Sequence, residues 1–583
     1  MKLDFLHGSR SRILAGVVLA IAAVFVLRLF YLQVIQHNHY VALAQEEQVK
    51  KDTLYATRGE IYALNGESPV KLVMNETVYM AIVDPALIIK SGEAKDIAKA
   101  MKEIAGGNVR DNFEDLLEVK ESRYQIIATR LTRTQAEKIK EKDFTGLGFT
   151  AVSQRVYPEG KLASQVLGFV NAEGVGNYGV EGYMNDELNG EDGRLETVKD
   201  ISDVPLTVGG RNIRDAAVDG DNLVLSLDRN VQSKVEEIIK SRADSLGAGL
   251  VSAVVMDPNT GKVMAMANTP DYNPAEYYKV TEAGDFNNAV ISKIYEPGST
   301  VKTFTMSAAI DTNAAKASDT FVNTDSIRID DYTISNATKG HTGTISFQTA
   351  MDWSLNTGFV TLGMRMGNGK SINETARATI YDYFHNRFRL GQQTGVELAG
   401  EAAGRLVPPE EGDGNAVRYS NMTFGQGMDS TMMQVATGFS SLINGGNYYK
   451  PTVIAGKMVD GTYKANDAPV PVQANVITAA TSQQLRDMVH TARSSSSISR
   501  LDKKGYEIGG KTGTAQIPSA GGYSDTETIA SYVGYGGAEK PEYVIMVSVY
   551  GKDKVFQGAR DAAPIFTDIS NWMIDYLKIQ PKG

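Results

Sequence analysis

A serine hydroxyl does covalent chemistry only when a neighbouring group takes its proton, and Glu296-Pro297-Gly298-Ser299-Thr300-Val301-Lys302-Thr303-Phe304 contains such a pair. Pro-Gly ends an extended segment, and an apolar helical stretch begins at or just after Ser299. Positions i and i+3 share a helix face, so the Lys302 amine can reach the Ser299 hydroxyl without a distant partner. A lysine whose pKa is lowered by burial or by cationic neighbours serves as the base. The backbone N–H groups of a helix start stand where negative charge develops. Alone the spacing is weak: Ser68-Pro69-Val70-Lys71 also satisfies S-x-x-K beside a turn with no helix following, and reads as a surface serine and a solvated lysine.

Two further elements give the first its weight. Ser354-Leu355-Asn356 places a hydroxyl and an amide two residues apart on a polar turn ahead of a helical stretch. Lys511-Thr512-Gly513 lies in a β-prone segment preceded by glycines, with Thr514 and Ala515 continuing it. Each has a bland reading as a turn or a strand. With average residue usage a given three-residue motif is expected about 0.1 to 0.2 times in a chain this long, so the three in order carry far more information than any one.

These residues need a scaffold, and the pattern supplies a mixed α/β one. Val251 to Met256 and Val263 to Ala267 read as a hairpin about the turn Asp257-Pro258-Asn259-Thr260-Gly261-Lys262. Tyr543 to Tyr550 reads as a strand, and Ile565, Ile569, Trp572, Met573, Tyr576 and Leu577 fall at helical spacing to close the domain. Upstream, Thr57-Arg58-Gly59-Glu60-Ile61-Tyr62 with Asn65-Gly66 reads as strand, turn, strand, and 82–145 carries helical patterns of a small inserted α/β lobe. Gly209-Gly210 and Asp219-Gly220-Asp221 place a domain boundary near residue 215.

The chain has 583 residues, too many for one core, since single cores stop growing near ~250–300 residues. A net charge of -10 argues against a nucleic-acid binder, because phosphate neutralisation needs a basic face and the Lys/Arg content is not concentrated into one. The absence of cysteine excludes disulfides, thiol nucleophiles and thiolate metal sites. Ile13 to Leu27 is apolar or small throughout, and apolar character resumes after Arg28, long enough to span a bilayer. Lys2, Arg10 and Arg12 precede it, so the positive-inside rule makes it a type II anchor with the remainder outside the cytoplasmic membrane. Arg28 snorkels and Tyr31 anchors at the interface. The competing reading is a signal peptide cleaved after Ala42-Leu43-Ala44, which polar and aromatic residues separate from the apolar run.

S-x-x-K, S-x-N and K-T-G in this order resemble the signature of the penicillin-recognising serine enzymes, which include penicillin-binding proteins and serine β-lactamases. The resemblance implies an acyl-enzyme on Ser299 with Lys302 as general base. Ser354 and Asn356 become proton relay and substrate-amide ligand, while Lys511 and Thr512 bind the carboxylate end and Thr514 adds a contact. The backbone N–H groups of Ser299 and Thr514 form the oxyanion hole. Strand alternation gives Gly513 the task of leaving room for substrate against the backbone. Which threonine hydroxyl reaches the carboxylate stays open.

Along nearly its whole length the chain is similar to class B penicillin-binding proteins, monofunctional peptidoglycan D,D-transpeptidases. Arg28-Leu29-Phe30-Tyr31-Leu32-Gln33-Val34-Ile35, Arg58-Gly59-Glu60-Ile61-Tyr62, Arg155-Val156-Tyr157-Pro158, Leu167-Gly168-Phe169-Val170, Gly179-Val180-Glu181-Gly182, Pro270-Asp271-Tyr272-Asn273-Pro274, Thr423-Phe424-Gly425-Gln426-Gly427 and Ala562-Ala563-Pro564-Ile565-Phe566 carry the likeness. Two positions depart from it: Ala63-Leu64 replaces an Asp-Arg pair, and Gln426 stands where an aromatic is common. The implied architecture is multidomain: a cytoplasmic tail (1–12), a single transmembrane helix (13–35), a β-rich α+β dimerisation or pedestal domain (36–215) and a mixed α/β, β-lactamase-like serine transpeptidase domain (216–583).

The implied substrates are peptidoglycan stem peptides, a D-Ala-D-Ala donor and an amine acceptor, with β-lactams as acylating mimics and no metal or organic cofactor. A membrane glycan polymerase of the shape, elongation, division and sporulation type is the implied partner. No glycosyltransferase signature occurs between 40 and 215, which disfavours the bifunctional class. The chain stops about 70 residues after Lys511, which leaves no room for a sizeable further domain. The rival readings are a membrane-tethered β-lactamase or carboxypeptidase, disfavoured by the large N-terminal region, and an antibiotic sensor, for which residues 1–12 are too short. A third is a non-catalytic scaffold of the wall-synthesis machinery.

Overall fold

The structure, a computed structural model, describes residues 9–40, 49–198, 213–519 and 522–582. Ala42-Leu43-Ala44, Gly209-Gly210 and residues 1–8 of the basic leader lie outside the described residues. The described residues form two compact units, one of residues up to 58 with 189–220 and one of 59–188 with 221–583.

In the first unit, Ser9–Phe30 is α-helical and continues as a π-helical turn, Tyr31–Ile35. The span Arg10–Ile35 has 26 residues and a mean hydropathy of 2.7, and none of it is buried against the chain. At 1.5 Å per residue it exceeds the ~30 Å of a hydrocarbon core. The Arg28 guanidinium lies 5.5 Å from the Tyr31 ring centre, and Gln36 Nε2 donates to the Tyr31 hydroxyl at 2.8 Å, a polar and aromatic end suited to an interface. The same unit holds an antiparallel sheet of Val49–Leu54, Gly193–Val198 and Ile213–Asp215.

The second unit contains two larger sheets. In one, Ile61–Asn65 and Ser68–Val83 form the hairpin expected about Asn65-Gly66, with Gly66 at φ +63, where a missing Cβ removes the steric penalty. Asn222–Asp228 runs parallel to Ile61–Asn65 and pairs on its other side with Ile454–Val459, so a single sheet joins segments far apart in the chain. The long strand Ser68–Val83 then carries the small α/β lobe. Asp84 accepts from the Leu87 N–H and Pro85 occupies the first turn of Pro85–Ser91, while a Thr132/Gln135 capping box starts Arg133–Lys140. Ile88, Ile97, Met101, Ile127 and Ile139 make this lobe a core of its own.

The other sheet is antiparallel, in the order Val263–Thr269, Leu250–Met256, Pro541–Tyr550, Gly522–Gly537 and Glu507–Ser519. Side chains alternate between its two faces. Val251, Ala253 and Val255 pack with Val235, Ile565 and Ile569 from the helices Arg229–Leu246 and Ala563–Tyr576. Val254, Met256, Val533 and Met546 pack on the opposite side with Phe304, Phe359 and Phe439. Two helices therefore cover one face and a helical region the other, leaving Glu507–Ser519 as the edge strand beside the serine turn.

Candidate active site

Gly298–Val301 forms a single 3-10 turn that runs straight into the helix Lys302–Asp311. Lys302 to Ile310 are all buried, so this helix is surrounded by core rather than amphipathic. Its hydroxyls are satisfied internally: Thr303 donates to Thr300 O, Ser307 to Thr303 O, and Thr305 to Thr423 O at 2.7 Å. The turn is held from outside by Thr423-Phe424-Gly425-Gln426-Gly427. The Gly298 N–H donates to Gly425 O at 3.0 Å, and a Cβ on Gly425 would overlap Gly298 O. Backbone lies on backbone here, which glycine alone permits.

Lys302 is completely buried. Its Nζ donates to Ser354 O at 2.7 Å, to Ser354 Oγ at 3.0 Å and to Asn356 Oδ1 at 2.7 Å. The lysine, which helix spacing directs toward Ser299, thus places its hydrogen bonds on residues 52 and 54 positions away. Burial, reinforced by the Lys511 ammonium, pulls its pKa well below the ordinary lysine value. Ser354 occupies the left-handed region at φ +55, a conformation that costs a non-glycine residue roughly 1–2 kcal/mol, and it turns both its carbonyl and its hydroxyl toward Lys302. Asn356 opens the helix Asn356–Arg365 and donates from Nδ2 to Ser335 O at 2.9 Å.

Lys511, Thr512, Gly513 and Thr514 lie consecutively on the edge strand, paired with Val533, Tyr532, Ser531 and Ala530. Lys511 is 4% exposed and donates to Thr512 O at 3.3 Å and to Thr512 Oγ1 at 3.2 Å. Burial lowers its pKa to about 8, with the Asp352 carboxylate opposing the fall. Thr514 Oγ1 accepts from the Gly558 N–H at 3.1 Å.

An open cleft of about 560 Å³ runs between these elements, lined by Ser299, Ser354, Asn356, Thr512, Thr514 and Gln426 among others. Gly513 sits between two of these lining residues. A Cβ there would overlap Ser531 Oγ and stand 3.0 Å from Thr300 Cγ2 and 3.1 Å from Pro297 O. The glycine therefore lets the strand pack against the serine turn. The far wall is Tyr332–Thr338, and half-exposed Trp353, tilted 33° against His341 with ring centres 4.2 Å apart, stands at the rim.

Three further buried residues support the site. Glu296 is buried, and its Oε1 accepts from the Gly427 N–H at 2.7 Å and the Tyr523 hydroxyl at 3.1 Å; burial raises its pKa. Asn323 and Asn336 lie almost wholly buried behind Asn356. Only Glu296, the residue before Pro-Gly, lies inside a segment whose types and spacing point to chemistry. Among the described residues no cluster of His, Asp and Glu suits a metal ion.

Residues 251–571 match the penicillin binding protein transpeptidase domain, and 53–225 match the penicillin-binding protein dimerisation domain. The chain is 29% identical over 573 residues to stage V sporulation protein D of Bacillus subtilis, covering 95% of this chain and 84% of the relative. It is 25% identical over 581 residues to peptidoglycan D,D-transpeptidase FtsI of Escherichia coli, covering 98% and 92%. The crystal structure of penicillin binding protein 2X from Streptococcus thermophilus shares the fold, with TM-score 0.72 at 23% identity over 91% of this chain and 80% of that one.

Proposed function

Because this chain belongs to the penicillin-binding protein transpeptidase family, as a class B member and a serine D,D-transpeptidase of peptidoglycan synthesis, we propose that Ser299 is its nucleophile and Lys302 its base. Neutral Lys302, with its two N–H groups on Ser354 O and Asn356 Oδ1 and its lone pair accepting from the Ser354 hydroxyl, takes the Ser299 proton through that hydroxyl as relay, while Ser299 Oγ bonds to the carbonyl carbon of the penultimate D-alanine. The backbone N–H groups of Ser299 and Thr514 receive the oxyanion. Collapse breaks the peptide bond, and the proton returns to the nitrogen of the departing D-alanine. An acceptor amine then attacks the Ser299 ester, gives up its proton along the same route and leaves the cross-link, restoring the serine. Asn356 receives the substrate amide, Lys511 with Thr512 and Thr514 receives the terminal carboxylate, and the Gly513 backbone lies beside it. A β-lactam acylates the same serine.

The observation that carries this assignment is the buried Lys302 amine 3.0 Å from the Ser354 hydroxyl, beneath a cleft that both Ser299 and Ser354 line. Relatives named as peptidoglycan D,D-transpeptidases favour it over a β-lactamase, a carboxypeptidase or a scaffold. The test is to incubate detergent-solubilised wild type and Ser299→Ala with a fluorescent penicillin and separate them on a denaturing gel. Labelling of wild type alone supports Ser299; labelling of both identifies another serine, and labelling of neither folded protein removes the assignment.

The N-terminal helix is a membrane anchor. In our reading it is single-pass and type II, with 1–12 cytoplasmic, 13–35 spanning, 36–215 the pedestal and 216–583 the transpeptidase domain outside the membrane. Protease added to intact spheroplasts should degrade the catalytic domain. The positive-inside rule supports this orientation. A membrane glycan polymerase of the shape, elongation, division and sporulation type is the proposed partner, on the strength of the family resemblance, and co-purification in mild detergent tests it.

A further inference from the structure

The Asn356 side chain has two chemically opposite ends, and each meets a group that accepts only one of them. Nδ2 donates to Ser335 O at 2.9 Å and Oδ1 accepts from Lys302 Nζ at 2.7 Å. A carbonyl oxygen only accepts, so Ser335 holds the NH2 end whether Lys302 is charged or neutral, and Oδ1 faces the lysine in both states. The direction of the amide is therefore set from the cleft wall.

What fixes the Ser335 carbonyl is the next residue. Asn336 is 2% exposed. Its Oδ1 accepts from the Thr357 N–H at 3.0 Å, its Nδ2 donates to Asn323 Oδ1 at 3.1 Å and to Asp325 Oδ1 at 3.3 Å, and its own N–H donates to Asp325 O at 2.9 Å. The Thr357 N–H is one of the first-turn donors that a helix leaves without an internal partner. Asn323, 1% exposed, donates to His341 O at 2.8 Å and lies 2.7 Å from the Thr357 hydroxyl. A buried network with its donors and acceptors matched is stiff. This one ties the wall Tyr332–Ser335 to the helix start that bears Asn356.

We propose that Asn336, backed by Asn323, is a positioning residue for acylation, holding Ser335 and Thr357 so that the Asn356 amide presents its oxygen to Lys302. The proposal rests on the roles of Ser299, Lys302 and Asn356 proposed above. A purely structural network predicts something different: loss of acylation in step with loss of folded protein, whatever residue 356 is.

The experiment is a double-mutant cycle on the full detergent-solubilised chain, with wild type, Asn336→Ala, Asn356→Ala and the double variant acylated by fluorescent penicillin. The maximal rate is separated from the half-saturating concentration, and Tm is recorded for each protein. Asn336→Ala is expected to slow the maximal rate about 10–100-fold in wild type, yet less than about threefold in the Asn356→Ala background, because coupled neighbours are not additive. Full multiplication of the two effects, or a slowing accounted for by unfolding, overturns the proposal. If Asn336→Ala does not fold, Asn323→Ala replaces it in the same cycle, with the same results expected and the same results overturning the proposal. Ser299→Ala is the control: labelling of that variant sinks the catalytic reading, whereas additivity with an unlabelled Ser299→Ala sinks the positioning role alone.

Discussion

Gly513 and Ser531 face one another across the edge of the five-stranded sheet so closely that a methyl group on Gly513 would overlap the Ser531 hydroxyl. Ser531 is 1% exposed and Thr300 and Pro297 close the remaining sides, so the added atom has nowhere to go. The strand bearing Lys511 and Thr514 is seated on the serine turn by this contact. Gly513→Ala should destabilise the domain by about 1–3 kcal/mol, the usual range for overpacking, and slow penicillin acylation. Ser531→Gly in the same chain should restore part of both Tm and acylation; no recovery would place the clash at Thr300 or Pro297 instead.

If Lys302 is the base and Lys511 the carboxylate ligand, as proposed, the two buried lysines should give acylation a bell-shaped pH dependence. Below its depressed folded pKa Lys302 becomes protonated and loses its capacity to take the serine proton, so the rate falls toward acid. As pH rises through about 8 Lys511 loses its charge and with it the attraction for a carboxylate, so the rate falls again. The second-order acylation constant measured from pH 5 to 10 should show a descending limb near 8, and Lys511→Arg should move that limb out of range. In the same window the unfolded chain binds more protons at Lys511 than the folded one, so this residue's contribution to stability rises with pH between about 8 and the ordinary lysine value.

Arg155 and Glu181, 26 residues apart in the chain, form an ion pair at 2.8 Å with side chains 5% and 0% exposed. Arg155 also donates to Asn75 Oδ1 at 2.8 Å, so the pair binds a strand of the inserted lobe's sheet to the short helix Gly179–Tyr183. Glu181→Ala leaves a buried guanidinium short of its counter-charge and should cost about 3–5 kcal/mol, read by denaturant unfolding. A loss below about 1 kcal/mol would mean that the pair is solvated in solution.

What the sequence disclosed and withheld follows physical range. The helical start at Ser299 was legible because Pro-Gly ends the extended segment before it, and the hairpin at Asn65-Gly66 because a two-residue turn closes it. The acceptors of the Lys302 amine were not, since nothing local brings Ser354 to a lysine 52 residues earlier. Gly513 was legible as a glycine on a strand, but its crowding by Ser531 and Thr300 was not: alternation says that a residue faces one side without saying what waits there. Asn323 and Asn336 form no motif, and their meaning arises only when two short strands and a helix start converge.

Ser354 combines a backbone requirement with a chemical one, and two substitutions separate them. Its φ of +55 penalises any residue with a Cβ, while its hydroxyl receives a Lys302 hydrogen bond at 3.0 Å. Ser354→Ala and Ser354→Gly both delete the hydroxyl, so both should slow acylation about 100-fold or more if Ser354 relays the proton. They differ in the backbone: glycine relieves the left-handed strain at a smaller entropic cost, so Ser354→Gly should be the more stable by about 1 kcal/mol. Equal Tm values would show that the turn relaxes around alanine. A glycine variant that is more stable yet equally impaired would show that the strain at Ser354 serves to keep a hydroxyl beside Lys302.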